Sequence, residues 1–519
     1  MTAPVVVVGA GVSGLVAARD LLAAGLPVVV LEASARTGGV LSRGALDVAG
    51  PDGGPLLVDT GPESLLARRP EAVALVRELG LGEDVVHPEA VPPAVATRGR
   101  LHALPPGTVM GVPRTTAHLA GLLDAGEVAR VAGERVRPLP EGTQDVAVAA
   151  WVEGRVGRAV VDRLVEPLLG GVYAGSAVRL SLRSTVPALW HLATAAEPLL
   201  APPAVPPAPV PAVAPDAPTT AGPAPVAGGP GVGAPVFAGV AGGVGRLAEA
   251  LERSVVAGGG DLRTATPATA LRRAAPEEAV GDGLGGAHDG ARWVVGTRGG
   301  ELRARAVVVA LPAPAASRLL RDAVPAASAA LAEVRTASSA IATLAVPGAA
   351  MADVRRSGLL VPPVEGGLVK AATFSSTKWG WLGRAAGDLA VLRVSAGRAG
   401  DDAALDRDDA DLVATAAAEV GGLLGRDLPV VAGRVDRWRD GLPQYDVGHA
   451  GRVDRAREAA AGAAGLVLAG STYEGVGVPA CVAVARAAAR DVVADLGATA
   501  AGAAAPGTAG PAGPGTMGA

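Results

Sequence analysis

Three glycines near the N-terminus, Gly9, Gly11 and Gly14 in "VVVVGAGVSGLVAA", carry the spacing G-x-G-x-x-G. Glycines so placed let the chain turn tightly and let backbone N–H groups approach a pyrophosphate. A helix starting at that turn adds the partial positive charge of its N-terminus. Glu32, 18 residues past Gly14, is a carboxylate that can accept from ribose hydroxyls. It opens "EASARTGG", in which Arg36 and the pair Gly38–Gly39 continue the pattern. A second chemical stretch lies near the other end, "LAGSTYEGVGVPACVAVARAAA", from Leu468 to Ala489. It holds one of three tyrosines and the only cysteine, beside a glycine turn.

The elements that must position these residues follow from periodicity. Residues 4–8 are a continuous apolar run, which predicts a strand buried in a parallel sheet. "VSGLVAARDLLAAGL" has helical periodicity and "PVVVLEA" predicts a second strand, so the chain opens with a β-α-β unit. Residues 58–81 read as strand, turn and amphipathic helix, and "VATRGRLHALP" as a hairpin before a mostly helical region reaching 200. Further strands are predicted in "ARWVVGT" and "RARAVVVALP", a second sheet over 340–435 with a helix at 407–425, and a final strand, turn and helix. The segment 201–236 is rich in Pro and Ala and is expected to be disordered, as is the tail from Gly497.

Composition sets the outer limits. With 519 residues the chain needs two or three domains. The 46 basic and 50 acidic residues give a net charge of −4, which leaves no basic excess for general nucleic-acid binding. A single cysteine, Cys481, excludes an internal disulfide, and no zinc-type cluster is present, so no metal is expected. The first strand begins at once, leaving no room for a signal peptide, and no stretch suits a transmembrane helix. The expectation is a cytoplasmic protein, with peripheral membrane association as the variant.

The glycine–Glu32–Arg36 extension resembles flavoproteins of the amine oxidase and phytoene desaturase type. Four further stretches narrow the resemblance: "VDTGPESLLARRPEA", "EPLLGGVYAGSAVRLSLRSTVPALW", "GLPQYDVGHAGRV" and "YEGVGVPAC". In that order they resemble the protoporphyrinogen and coproporphyrinogen oxidases, over nearly the whole chain. The resemblance implies an α/β fold: a Rossmann-like FAD-binding domain, a substrate-binding α+β domain and a mainly helical insertion. The FAD domain is expected in three parts, 1–80, 237–320 and 436–496. Between them lie a substrate-side hairpin and helical domain, 81–200, the disordered segment 201–236, and a substrate domain, 321–435, before a disordered tail, 497–519.

One non-covalent FAD is implied, held by Gly9, Ala10, Gly11, Val12, Ser13, Gly14, Glu32, Ala33, Arg36, Gly39 and Val40. Gly61, Pro62, Glu63 and Ser64 would run along the flavin, Ala268 would meet the adenine, and Trp438 would sit near the flavin. Ser471, Val476, Gly477 and Val478 would touch flavin and ribityl through backbone groups. There the helix near Pro479 aims its positive end at the flavin. The implied substrate is a porphyrinogen, losing six hydrogens in three two-electron steps to flavin N5, with molecular oxygen as reoxidant and hydrogen peroxide as product. Propionates call for basic partners, and Arg69, Arg183 and Lys378 are the candidates, with Tyr173 lining the macrocycle. No residue is assigned as general acid or base, and His449 and Cys481 read as structural. The "GVGVP" turn points to coproporphyrinogen III within heme biosynthesis. Protoporphyrinogen IX oxidation, amine oxidation and a non-catalytic porphyrin carrier are the alternatives. A transient meeting with the next heme-pathway enzyme is expected.

Overall fold

The structure, a computed structural model, describes residues 2–200, 235–275 and 289–503. Four short apolar runs explain its centre. Val5–Val8, Val28–Leu31, Ala306–Val309 and Leu466–Leu468 pair in parallel, with Asp261–Arg263 at one edge. The order is 261–263, 28–31, 5–8, 306–309, 466–468. Helices cover both faces, which is why the inner strands are apolar without alternation. On one face helix Val12–Ala23 packs against the long helix Val478–Ala503, so the two chain ends share a core. Small residues at the contact, Ala17, Ala18, Ala485 and Ala488, let the helices approach closely. The other face carries helices Ala313–Leu320, Pro325–Ala332 and His449–Ala461.

A seven-stranded sheet stands apart from this unit. Its order is 432–443, 336–347, 389–396, 369–373, 358–360, 94–97, 100–103, antiparallel except where 358–360 meets 94–97. The hairpin predicted near residue 100 is therefore an edge of this sheet, and strand Ala432–Pro443 runs through the expected boundary at 435/436. Helices between 125 and 194 form a separate apolar layer with its own core around Leu164, Leu169 and Leu189.

Two local expectations need correction. "RARAVVVALP" is two strands, Gly300–Ala304 in a three-stranded antiparallel sheet and Ala306–Val309 in the parallel one. The charged Arg303 belongs to an edge strand and Arg305 to the joint between the two, whereas the valines belong to a buried core. The last helix also continues to Ala503, past the Gly497 at which order was expected to end. The stretch is mostly Ala, the best helix former, and the next proline comes only at Pro506. Most of the Pro/Ala-rich segment, 201–234, and the tail from 504 lie outside the described residues. Among the described residues no helix is long and apolar enough to cross a membrane, and no His, Cys, Asp and Glu cluster could hold a metal.

Candidate active site

The first glycine turn is shaped by close backbone approach. A Cβ on Gly14 would fall 1.8 Å from the Gly9 carbonyl oxygen, and Gly9 itself sits at φ +101°. A Cβ on Gly11, by contrast, would meet nothing within 4 Å. Helix Val12–Ala23 starts from Gly11 with no side-chain cap and no acid in its first turn. The first N–H groups of this helix have no intrahelical acceptor, and the space beside Gly11 is open. That is a cradle for a pyrophosphate.

Glu32 is locked beside it. Ala10 N–H donates to its Oε2 at 2.9 Å, and Ser34 N–H and Oγ–H both donate to Oε1 at 2.8 Å. Ala33 follows at the end of the strand, and Thr266 N–H donates to the Glu32 carbonyl at 2.8 Å. That bond brings the strand beginning at Ala268 alongside. Arg36 donates to the Gly39 carbonyl at 2.8 Å and lies 5.5 Å over the Trp438 ring. Trp438 Nε1–H donates to the Thr60 carbonyl at 2.9 Å, and a Cβ on Gly61 would fall 1.9 Å from the Val40 carbonyl oxygen. Arg36, Val40, Gly61 and Trp438, scattered in sequence, meet at one place.

The turn Gly61–Ser64 is tied to the seven-stranded sheet by one carboxylate. Glu63 accepts from Ser375 Oγ at 2.7 Å, Lys378 Nζ at 2.8 Å, Trp379 Nε1 at 3.1 Å and Arg393 Nη1 at 3.1 Å. Arg393 also donates to the Gly61 carbonyl, and Lys378 to Ser64 Oγ at 2.9 Å. Burial alone would raise the Glu63 pKa, but the two cations and these donors hold it at about 2. The Glu63 side chain is thereby a strut between the turn and the seven-stranded sheet, and Pro62 lies within that turn.

The returning turn is clamped by Tyr445. Its hydroxyl donates to the Ser471 carbonyl and accepts from Gly475 N–H at 2.7 Å, spanning the turn. The ring stacks on His449 at 3.9 Å between centroids, and His449 Nε2 donates to the Thr472 carbonyl at 2.9 Å. Burial lowers the His449 pKa to about 4, so the imidazole is neutral at pH 7. Val476 and Gly477 lead directly into the long helix, whose first residue is Val478 and whose first turn carries no acid. Ser13 Oγ–H donates to the Cys481 carbonyl at 3.1 Å, which links the two helix starts. The Cys481 thiol is buried and pushed up to about 11 by that burial.

The four substrate candidates fare unequally. Tyr173 stands 5.7 Å from the Tyr445 ring, one layer from the turn. Arg69 pairs with Glu71 at 2.7 Å, 40% exposed, at the start of helix Pro70–Glu78. Arg183 is exposed and donates to the Gln144 carbonyl. Lys378 has its ammonium on Glu63 and Ser64, which makes it a support of the turn. Sequence reading missed Arg393 and the Tyr445 clamp. A single arginine inside the apolar strand "LAVLRVSA" was the available signal for the first. The second is a contact between segments 26 residues apart, which no local pattern encodes.

Two glycine-lined helix starts, an acid at the second strand and a separate sheet braced against them define a dinucleotide-binding flavoprotein. The chain belongs to the flavin containing amine oxidoreductase family, whose model matches residues 12–493. Its cofactor is FAD, and the open cradle at Gly11–Gly14 with Glu32 beside it fits that group. The chain is 36% identical over 504 residues to the coproporphyrinogen III oxidase of Mycobacterium tuberculosis, covering 95% of this chain and 98% of that protein. It is 28% identical over 503 residues to the enzyme of that name from Bacillus subtilis, covering 95% and 98%. Among solved structures it resembles a putative protoporphyrinogen oxidase from Exiguobacterium, with TM-score 0.76, 28% identity and coverage of 96% and 99%. Cyclohexylamine oxidase from Brevibacterium oxydans shares the fold at TM-score 0.63 and 14% identity, covering 96% and 100%.

Proposed function

We propose that this chain oxidises coproporphyrinogen III to coproporphyrin III, with molecular oxygen as terminal acceptor and hydrogen peroxide as product, in heme biosynthesis. The observation that carries the reading is the 36% identity to coproporphyrinogen III oxidases along 95% of the chain, joined to the FAD cradle above. Bound FAD supplies a two-electron acceptor. The protein's own part is positional. Tyr445 fixes the turn Ser471–Gly475, and the two helix starts offer unpaired N–H groups to negative charge. Glu63, Lys378 and Arg393 hold the first flavin turn against the sheet that faces the substrate.

His449, Tyr173 and Cys481 are each unsuited to act as a base near neutral pH. His449 Nε2 already donates to Thr472, and burial raises Tyr173 to about 12 and Cys481 to about 11. The pyrrole protons therefore leave to water, and aromatisation of the macrocycle supplies the drive. The proposal places the enzyme in the cytoplasm, with peripheral contact to the membrane and a transient hand-over to the next heme-pathway enzyme.

The test is a comparison of coproporphyrinogen III and protoporphyrinogen IX on the FAD-loaded protein, following porphyrin fluorescence and peroxide. A higher kcat/KM for coproporphyrinogen, with three peroxides per porphyrin, is expected. Preference for protoporphyrinogen would replace the substrate, and oxidation of neither would remove the function.

A further inference from the structure

A cavity of about 360 Å3 lies between helix Glu166–Tyr173 and the seven-stranded sheet. Three cations line it, Arg158, Lys370 and Arg398, of which Arg158 is paired with Asp162. Lys370 sits where the pairing of strands Val369–Thr373 and Leu389–Ala396 shifts register between Val369 and Ala371. Such an irregularity re-aims a side chain that regular alternation would fix. Lys370 is only 6% exposed, yet among the described residues no group accepts a hydrogen bond from its ammonium. Arg398, just past the neighbouring strand, has a buried Nη2 without a partner.

The carboxylates around the same cavity are already engaged. Asp162 pairs with Arg158 at 2.7 Å, and Glu166 accepts from Ser176 Oγ at 2.8 Å and Ala177 N–H at 3.0 Å. A buried lysine and a half-buried arginine facing a hollow are costly unless something negative enters it. Around the opening, Val178 and Val364 are each 53% exposed, an apolar rim over a cationic interior. A ligand matching both is a flat apolar body carrying carboxylates. A chain of contacts links the lining to the returning turn. Ala399 N–H donates to the Ala174 carbonyl at 2.6 Å, and Gln444 Nε2 donates to the Tyr173 carbonyl at 2.7 Å. Tyr173 then meets Tyr445, whose hydroxyl holds that turn.

We propose that Lys370 and Arg398 are specificity-determining residues that grip a propionate of the tetrapyrrole at the far end of its cavity. The inference rests on the porphyrinogen reading above. It assigns the recognition of acidic side chains to this pair, ahead of Arg69, Arg183 and Lys378, whose charges are paired or exposed.

The test compares coproporphyrin III with its tetramethyl ester, which keeps the macrocycle and removes the charges. Binding to the FAD-loaded full chain is read by porphyrin fluorescence for wild type, Lys370→Met, Arg398→Met and Lys370→Arg. Each methionine variant is expected to weaken the acid about tenfold or more and the ester less than about twofold, with FAD content unchanged. Lys370→Arg should restore most of the acid binding. Equal weakening of acid and ester, or none, would overturn the proposal. Should the methionine variants fold poorly, Lys370→Arg and Arg398→Lys serve alone, and loss of the acid-over-ester preference in both would count against it. A wild type that oxidises no porphyrinogen sinks the functional reading. A wild type that oxidises one while the methionine variants keep the acid-over-ester preference sinks only this pair.

Discussion

Lys378 and Arg393 on the one hand, and Lys370 and Arg398 on the other, are two pairs of cations with one member of each on the seven-stranded sheet and the other just outside it. The first pair shares a buried carboxylate, Glu63, at 2.8 and 3.1 Å. The second pair shares only a cavity. Charges closed on one another hold parts of a protein in register. Charges left open against a hollow spend stability on something yet to bind. The same residue types thus brace the Gly61–Ser64 turn at one place and, in the proposal above, address a ligand at another.

Breaking the closed pair should have the largest effect. Glu63→Gln keeps the shape but leaves two buried cations with a weak acceptor, and about 3–5 kcal/mol of stability should go with it. Thermal unfolding should start earlier and release FAD first. The open pair predicts the reverse sign. Burial first, then Arg398, lowers the Lys370 pKa to about 8, so its charge costs folding energy in full below that pH. Lys370→Met at pH 7 should raise stability by roughly 1–3 kcal/mol. Similar losses in both variants would erase the distinction.

The clamp on the returning turn comes next. Tyr445→Phe removes the hydroxyl that accepts from Gly475 N–H, leaving that donor unsatisfied in a part-buried site. The loss of about 1–3 kcal/mol corresponds to roughly five- to 150-fold weaker FAD binding, measured by titrating the apoprotein. An unchanged FAD affinity would show that the turn is held by its backbone alone.

Charge at the open pair is also readable through pH. The free enzyme's Lys370 loses its proton near pH 8, so kcat/KM for coproporphyrinogen should fall several-fold between about pH 7 and 9. The other groups facing it do not mimic this step. Arg398 stays charged, Asp162 is held by Arg158, and burial moves the Glu166 carboxyl upward from a value far below that range. Glu419 accepts from the backbone N–H groups of Leu368 and Val369, and Asp401 lies beside Arg398. Lys370→Met should flatten the alkaline limb, and a limb that persists would assign it elsewhere.

How much of this was legible in the sequence follows from the range of each interaction. The parallel sheet and the glycine turn were readable because apolar runs and G-x-G-x-x-G act within about thirty residues. The meeting of Arg36, Val40, Gly61 and Trp438 was legible only as a family resemblance, since it joins segments some 400 residues apart. The two roles of the lysines were not legible at all. Lys378 and Lys370 look alike in sequence, and only the position of Glu63 separates a strut from an open charge. Arg398 similarly lies in a loop whose neighbours across the cavity come from the helical layer. Pairing is a property of three-dimensional proximity, and the sequence carries no local mark of it.

Cys481 gives the smallest expected effect and a control on the others. Its thiol is buried, raised to about 11, and only 3.9 Å from the Gly475 carbonyl, while its own carbonyl accepts from Ser13. Reactivity needs the thiolate, so at pH 7–8 a thiol reagent should label the native holoprotein far more slowly than the unfolded chain. Cys481→Ala removes one sulfur from a packed contact, which costs about 1 kcal/mol by analogy with deleting a single buried methyl group. The backbone carbonyl that receives Ser13 is kept. Activity and FAD content should therefore stay within about twofold of wild type, with a slightly lower Tm. Loss of turnover with FAD retained would mean that the thiol acts in the reaction. Loss of FAD with it would mean instead that the Cys481 contact, like the Tyr445 hydroxyl, is part of the clamp.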